Sequence, residues 1–238
     1  DYLDYLNQYL NAFKIGSGDI TWHEFLDKIS SYQKPVILST GASNIDEVVA
    51  AVELVSQKAK DIVVMQCNTN YTADVENFKY VNLNVLLTYK KLFPDALLGL
   101  SDHTFGSTTV LGAVSLGAKF IEKHFTDDNS RDGPDHKFSM NPETWKEMVL
   151  RTRELEYSLG TGSKKVEENE LETVVLQRRC LRAAKDIKAR TTITEECIAV
   201  LRPAPLDSIY PKHKPDLFSK ILINDLKKGD YFKWEYLI

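Results

Sequence analysis

Short apolar runs that alternate with helix-patterned segments constrain this chain more than any other feature. The runs are Ala12–Gly16, Val36–Ser39, Ile62–Gln66, Ala96–Leu100 and Lys119–Glu122. Helical texture follows each of them, over Trp22–Tyr32, Asn44–Ala59, Asn82–Phe93, Ser107–Gly117 and Pro142–Leu159. In the second helix Val48, Val49, Ala51, Val52 and Val55 recur at the helical period. Ser43 with Asp46 reads as its capping pair. The last helix opens on Asn141 as N-cap, Pro142 at the first helical position and Glu143 in the first turn. Near-continuous apolar strands alternating with helices predict a parallel sheet covered on its outer face.

Such units build either an open doubly wound sheet or a (β/α)₈ barrel, and the strand ends decide between them. Lys14 and Ser17, Ser39-Thr40, Cys67-Asn68-Thr69, Ser101 and His103, and Glu122 and His124 place polar groups at the end of every run. Convergence from all strands suits the C-terminal mouth of a barrel better than a single switch-point crevice. A full barrel takes about 250 residues, so five units within residues 1–160 leave it about three strands short. Asp1-Tyr2-Leu3-Asp4-Tyr5-Leu6 reads as the tail of a helix already under way. The expected fold is therefore α/β, a partial TIM barrel holding the last five βα units, in a chain that begins inside a domain.

Gly160-Thr161-Gly162-Ser163 and the charged stretch Lys164–Glu172 mark residues 161–177 as a linker with a short helix. Residues 178–238 change texture. Arg179–Ala184, Ile193–Val200 and Lys220–Ile223 are β-like runs joined by Pro-rich connections. A β-rich module of about 60 residues is marginal alone and is expected to pack on a partner. The net charge of −4 offers no basic excess for nucleic acid. No apolar run reaches the roughly 18 residues of a membrane helix. Three cysteines without CxxC spacing fit a reduced, cytoplasmic protein.

Gly99-Leu100-Ser101-Asp102-His103-Thr104 and Glu122-Lys123-His124-Phe125 carry the chemistry. Each ends a short apolar run in a histidine, with a helix-length stretch between. If the runs are neighbouring parallel strands, the two imidazoles emerge side by side with carboxylates close by, a site for a divalent metal. Two histidines without cysteine do not make a closed structural zinc site. Glu122 lies two residues before His124, so both share one face of the strand. A single histidine is more often structural than ligating; the paired strand-end positions favour ligation. Each serine taken alone reads equally as a strand-end or cap residue.

Together, Lys14-Ile15-Gly16-Ser17-Gly18, Leu38-Ser39-Thr40-Gly41, Ser101-Asp102-His103-Thr104, Glu122-Lys123-His124-Phe125-Thr126 and Gly133-Pro134-Asp135-His136 resemble the sialic acid synthase family. Arg178-Arg179, Asp186-Ile187 and Arg202-Pro203 resemble its antifreeze-like (SAF) domain. The resemblance covers essentially the whole chain. It implies condensation of phosphoenolpyruvate with an N-acylated hexosamine, such as N-acetylmannosamine, to a nonulosonic acid and phosphate.

By that resemblance Lys14 meets the phosphate, and Ser17, Ser39 and Ser101 donate to it. His103 and His124 bind Mn²⁺ or Mg²⁺, a Lewis acid for the sugar's open-chain aldehyde. Glu122 binds sugar or handles protons, and Asp135 grips the sugar hydroxyls, although beside Pro134 it also reads as a turn former. Arg202 is lent to the sugar site of a second subunit in a domain-swapped homodimer. His136 takes an outer position and His23 the surface. Where the family reads Thr, Ser or Asn, another residue, Tyr and Pro after the cysteine, this chain has Asn68-Thr69-Asn70-Tyr71-Thr72. Thr69 then faces phosphoenolpyruvate, with Asn70 and Tyr71 beside it. Ala189-Arg190 stands where a turn glycine is usual. A chain without the early strands is expected to be inactive alone. Pseudaminic and legionaminic acid synthases, and a truncated sugar-binding protein without catalysis, are the competing readings.

Overall fold

The computed structural model describes residues 2–72 and 74–238. By internal contacts the chain divides into two compact units, the first ending at Gly162 and the second running over Ser163–Ile238.

In the first unit α1 (Tyr2–Asn7) precedes five βα repeats. The strands are β1 (Phe13–Ile15), β2 (Val36–Ser39), β3 (Ile62–Cys67), β4 (Leu97–Asp102) and β5 (Phe120–Lys123). The helices are α2 (His23–Ser30), α3 (Ile45–Ser56), α4 (Val85–Leu92), α5 (Thr108–Ser115) and α6 (Pro142–Leu159). The sheet is parallel throughout, in the order β1-β2-β3-β4-β5. Strand neighbours in space are thus neighbours in sequence, as in a barrel.

Register sorts the side chains onto two faces. Ile15 pairs with Leu38, Leu38 with Val64, Val64 with Leu98 and Leu100 with Ile121. This row faces the helices and packs with Leu26, Val48, Val52, Leu86, Val110 and Ala113 into one core. Full burial of each such side chain contributes about 1.5–3 kcal/mol. The alternate residues, among them Lys14, Ser39, Cys67, Ser101 and Glu122, belong to the opposite, concave face. One contact shows how far the sheet curls. Lys14 on β1 and Glu122 on β5 approach to 2.9 Å. In a flat sheet at about 4.8 Å per strand, four strand spacings would hold these backbones about 19 Å apart.

All five expected strands and all five helices form, with ends within a few residues of the sequence reading. The cap of α3 differs by one position. Asn44, not Ser43, is the N-cap: its Oδ1 accepts from Glu47 N at 3.0 Å, and Glu47 Oε2 accepts from Asn44 N at 2.8 Å. The longer glutamate closes a box that Asp46 would not reach. Asn141 caps α6 as expected and forms its own box with Thr144.

The second unit contains α7 (Leu171–Gln177) and an antiparallel pair, β6 (Cys180–Ala183) with β7 (Ile198–Leu201). Two expected runs are not continuous strands. Ile193–Val200 is broken by a 3₁₀ turn at Glu195–Cys197. Lys220–Ile223 makes only single bridges, Thr192 to Ile221 and Leu222 to Leu237. The chain reverses too often here for longer ladders, and the apolar positions fill a small core around Phe232, Leu181, Leu217 and Leu222 instead. Arg190 has φ +67°, the left-handed backbone that explains why glycine suits this turn. Cys67, Cys180 and Cys197 are free and buried.

Candidate active site

The concave face of the first unit gathers its polar groups at the C-terminal ends of the strands. Lys14 is the middle residue of β1. Its neighbours Phe13 and Ile15 go to the core, which leaves the lysine on the open side. Its Nζ pairs with Glu122 Oε2, while Ser101 Oγ donates to Glu122 Oε1 at 3.2 Å. Ser101 and Glu122 are register partners on β4 and β5. The Glu122 carboxylate is therefore held at both oxygens. The Lys14 and Glu122 side chains stay 31% and 44% exposed, so an entering anion could compete for the ammonium.

Beside this pair the loops after β1, β2 and β3 come unusually close. A Cβ on Gly41 would lie 1.8 Å from Thr69 Oγ1, 2.9 Å from Ser17 Oγ and 3.1 Å from Cys67 Sγ. Only glycine fits there, and its N–H donates to Ser17 Oγ at 3.0 Å. Ser39 is 2% exposed, and its Oγ has no hydrogen-bond partner among the described residues. A buried hydroxyl without a partner costs about 1–3 kcal/mol, which an arriving acceptor would recover.

The two histidines stand together, with ring centroids 5.0 Å apart. His103 Nδ1 meets the Asn68 carbonyl at 2.9 Å, and His124 Nδ1 meets Asp135 Oδ2 at 3.2 Å. With both Nδ1 atoms engaged, Nε2 is the atom left on each ring for a metal, and on His103 a metal would displace the hydrogen bond to Cys67. Tyr71 packs on both rings, at 4.2 Å from His103 and 5.7 Å from His124, and Phe138 closes on the same cluster. Among the described residues no third His, Cys, Asp or Glu completes a metal-binding group. The donor set suits a cation that takes the rest of its shell from oxygens of water or substrate.

Burial favours the neutral thiol of Cys67, but hydrogen bonds from His103, Ser17 and Ser101 outweigh it and hold the pKa below the ordinary value. Burial likewise pushes His103 down, yet its bonds to Cys67 and the Asn68 carbonyl leave it raised. His124 is lowered, by burial first and by the neighbouring His103 second.

Residues 1–164 match the NeuB family model, and residues 178–238 match the SAF domain. The chain belongs to the NeuB family. The protein MJ1065 of Methanocaldococcus jannaschii is 38% identical over the whole chain, which spans 69% of that protein. N,N'-diacetyllegionaminic acid synthase of Campylobacter jejuni is 35% identical over 97% of the chain and 69% of the enzyme. The crystal structure of the spore coat polysaccharide biosynthesis protein SpsE of Bacillus subtilis superposes with a TM-score of 0.58 at 30% identity. It covers 95% of this chain and 67% of that one. Further relatives are synthases of pseudaminic acid and of N-acetylneuraminate 9-phosphate. The fold is that of the NeuB barrel over its last five βα units, with a SAF module after it.

Of the residues expected in this NeuB site, Lys14, Ser17, Ser39, Thr69, Tyr71, Ser101, His103, Glu122, His124 and Asp135 lie on the same sheet edge or its loops. Asn70 turns away: its Oδ1 accepts from Thr72 N at 2.9 Å and Thr72 Oγ1 at 2.6 Å, within its own exposed loop. His136 bonds Thr126 Oγ1 at 2.8 Å, and His23 is exposed at the start of α2. Arg202 belongs to the second unit, where its Nε donates to the Gln177 carbonyl.

Sequence reasoning assigned no role to Gly41, Cys67 or Phe138. It also missed a buried ion pair behind the histidines, Asp102 Oδ2 to Lys123 Nζ at 2.5 Å. Strand alternation held the signal for that pair. Residues 102 and 123 each precede an inward histidine, so both must face the core, where charges survive only in pairs.

Proposed function

We propose that this protein condenses phosphoenolpyruvate with the open-chain form of an N-acylated hexosamine, giving a nonulosonic acid and inorganic phosphate. One observation carries the reading: an exchangeable ammonium, Lys14, and an orphaned buried hydroxyl, Ser39, share one sheet edge with a pair of Nδ1-anchored histidines.

The phosphate replaces Glu122 at Lys14 Nζ and accepts hydrogen bonds from Ser39, Ser17, Ser101 and Thr69, with charge-assisted contacts the strongest. Glu122, released from the lysine, is then free to take a proton at its carboxylate. Carbon 3 of phosphoenolpyruvate forms a bond to the sugar's aldehyde carbon, whose oxygen becomes a hydroxyl. Water adds at carbon 2; Glu122 takes one of its protons and passes it to the new alkoxide, and the other leaves with phosphate as the C–O bond breaks and the carbon 2 carbonyl forms. His103 and His124 hold Mn²⁺ or Mg²⁺, which when bound supplies Lewis acidity toward the sugar carbonyl. Asp135 orients the sugar hydroxyls from the His124 side. Arg202, whose guanidinium suits an N-acyl carbonyl, acts in the sugar site of a second subunit of a domain-swapped homodimer. We place the protein in the cytoplasm, in keeping with three free cysteines. No described helix is long and apolar enough to cross a membrane.

The likeness to N,N'-diacetyllegionaminic acid synthase over nearly the whole chain favours a second reading, in which the acceptor is a hexose bearing two acetamido groups. Mass spectrometry of products from phosphoenolpyruvate, Mn²⁺ and a panel of mono- and diacetamido hexoses separates the two. A nonulosonic acid from either sugar class supports the reaction and names the acceptor. Sugar binding without any product would leave a recognition protein on a synthase scaffold.

A further inference from the structure

The helix-facing side of the site holds a charged cluster that none of these roles uses. Asp102 and Lys123 are register partners at the ends of β4 and β5, and their side chains are 2% and 1% exposed. Asp102 accepts from Lys123 Nζ, from Thr104 N at 3.1 Å, from Thr104 Oγ1 at 2.9 Å and from Thr109 Oγ1 on α5 at 2.6 Å. Lys123 Nζ also donates to the Thr104 carbonyl at 2.7 Å. Lys123 therefore grips the residues on both sides of His103 and is itself the residue before His124. The two Lys123 bonds tie the backbone that carries His124 to the backbone that carries His103, and the Asp102 bonds to Thr104 and Thr109 fix the turn that follows His103.

Stability alone does not account for such a pair. Burying two charges is costly, and apolar side chains of similar volume usually serve a core as well or better. The same face of these two strands is filled that way by Leu100 against Ile121, two residues earlier.

We infer that Asp102 and Lys123 are positioning residues that set the spacing and orientation of His103 and His124, and through them the affinity of the site for its divalent cation. The inference rests on the reading of those histidines as ligands. Its geometric half, the placing of the two rings, stands without a metal.

The test compares the intact protein with Asp102→Asn/Lys123→Met, which removes both charges and keeps an acceptor for Thr104. Two readouts are taken on each: Mn²⁺ affinity by electron paramagnetic resonance, and the imidazole nitrogen signals of His103 and His124 by NMR without metal. Leu26→Ala, a fully buried change in α2 far from the strand ends in sequence, controls for simple destabilisation. The double variant should melt near the wild type, lose about 10- to 100-fold in Mn²⁺ affinity and shift both ring signals. Leu26→Ala should melt lower and change neither readout. If the double variant does not fold, Thr109→Val, which removes one bond to Asp102, should move both readouts in the same direction by less. Wild-type Mn²⁺ affinity and unshifted ring signals in either folded variant would overturn the inference. Absence of Mn²⁺ binding by the wild type would instead sink the ligand reading, and the ring signals would still decide the geometric half.

Discussion

Two lysine–carboxylate pairs are built into this sheet on opposite faces, and they differ in almost everything except chemistry. Lys123–Asp102 joins neighbouring strands, lies under the helices and is sealed from water, with every carboxylate contact made by fixed groups. Lys14–Glu122 joins the first and last strands of the sheet across its concave side and remains 31% and 44% exposed. A sealed pair cannot trade partners, because either charge left alone in the core is penalised by several kcal/mol. A solvent-screened pair contributes about 1 kcal/mol or less, so a phosphate can displace its carboxylate. Residue type does not separate structural from working charges here. The face of the strand on which each residue falls does.

The contrast is broken most forcefully by removing one cation from each pair. Lys123→Met should cost about 3–5 kcal/mol in a denaturant titration, whereas Lys14→Met should cost about 1 kcal/mol or less. Equal losses would erase the distinction. Activity should run the other way. Lys14→Met should lower kcat/KM for phosphoenolpyruvate by about 100-fold or more, the usual cost of deleting a donor aimed at developing charge. Steady-state kinetics on the folded variant checks this.

A smaller effect sharpens the concave face itself. Gly41→Ala forces a methyl against Thr69 Oγ1 and Ser17 Oγ. Overpacking of this kind costs about 1–3 kcal/mol, and calorimetry should show weakened phosphoenolpyruvate binding. The smallest expected effect is a shift in pH dependence. Protons compete with the metal for both imidazoles. Because the pKa of His103 is raised, Mn²⁺ affinity should begin to fall while the pH is still above about 6.5, the ordinary histidine value. Cys67→Ala removes the hydrogen bond that raises it, so the fall should move to lower pH. Affinity titrations across the histidine range read this directly, and a shift to higher pH would contradict the assignment.

The sheet and its polar edge were legible because period and strand-end polarity are local signals. Five apolar runs read correctly, and alternation put Glu122 and His124 on one face. What stayed hidden depends on curvature and on loops. Lys14 and Glu122 are far apart in sequence and lie on the outermost strands, so only the curl of the sheet brings them together. The packing of Tyr71 and Phe138 on the histidines comes from two loops with no periodic pattern. The role of Gly41 is invisible until three loops converge on it. In the small unit, Lys220–Ile223 has the composition of a strand, but it pairs one residue at a time with segments that themselves turn at once. The cap of α3 slipped by one residue because Ser43 and Asn44 are both good caps, and only the reach of Glu47 chooses between them.

The most direct test of the account is release of inorganic phosphate from phosphoenolpyruvate by the intact protein in the presence of an N-acylated hexosamine. It would be run with and without Mn²⁺, for the wild type, Lys14→Met and His124→Ala. Release that needs both the sugar and the metal, and that is lost in both folded variants, is the result expected of a synthase whose open face takes phosphate at Lys14 and metal at the histidines. Undiminished release by either variant, or none by the wild type with any N-acylated hexosamine tried, would contradict it.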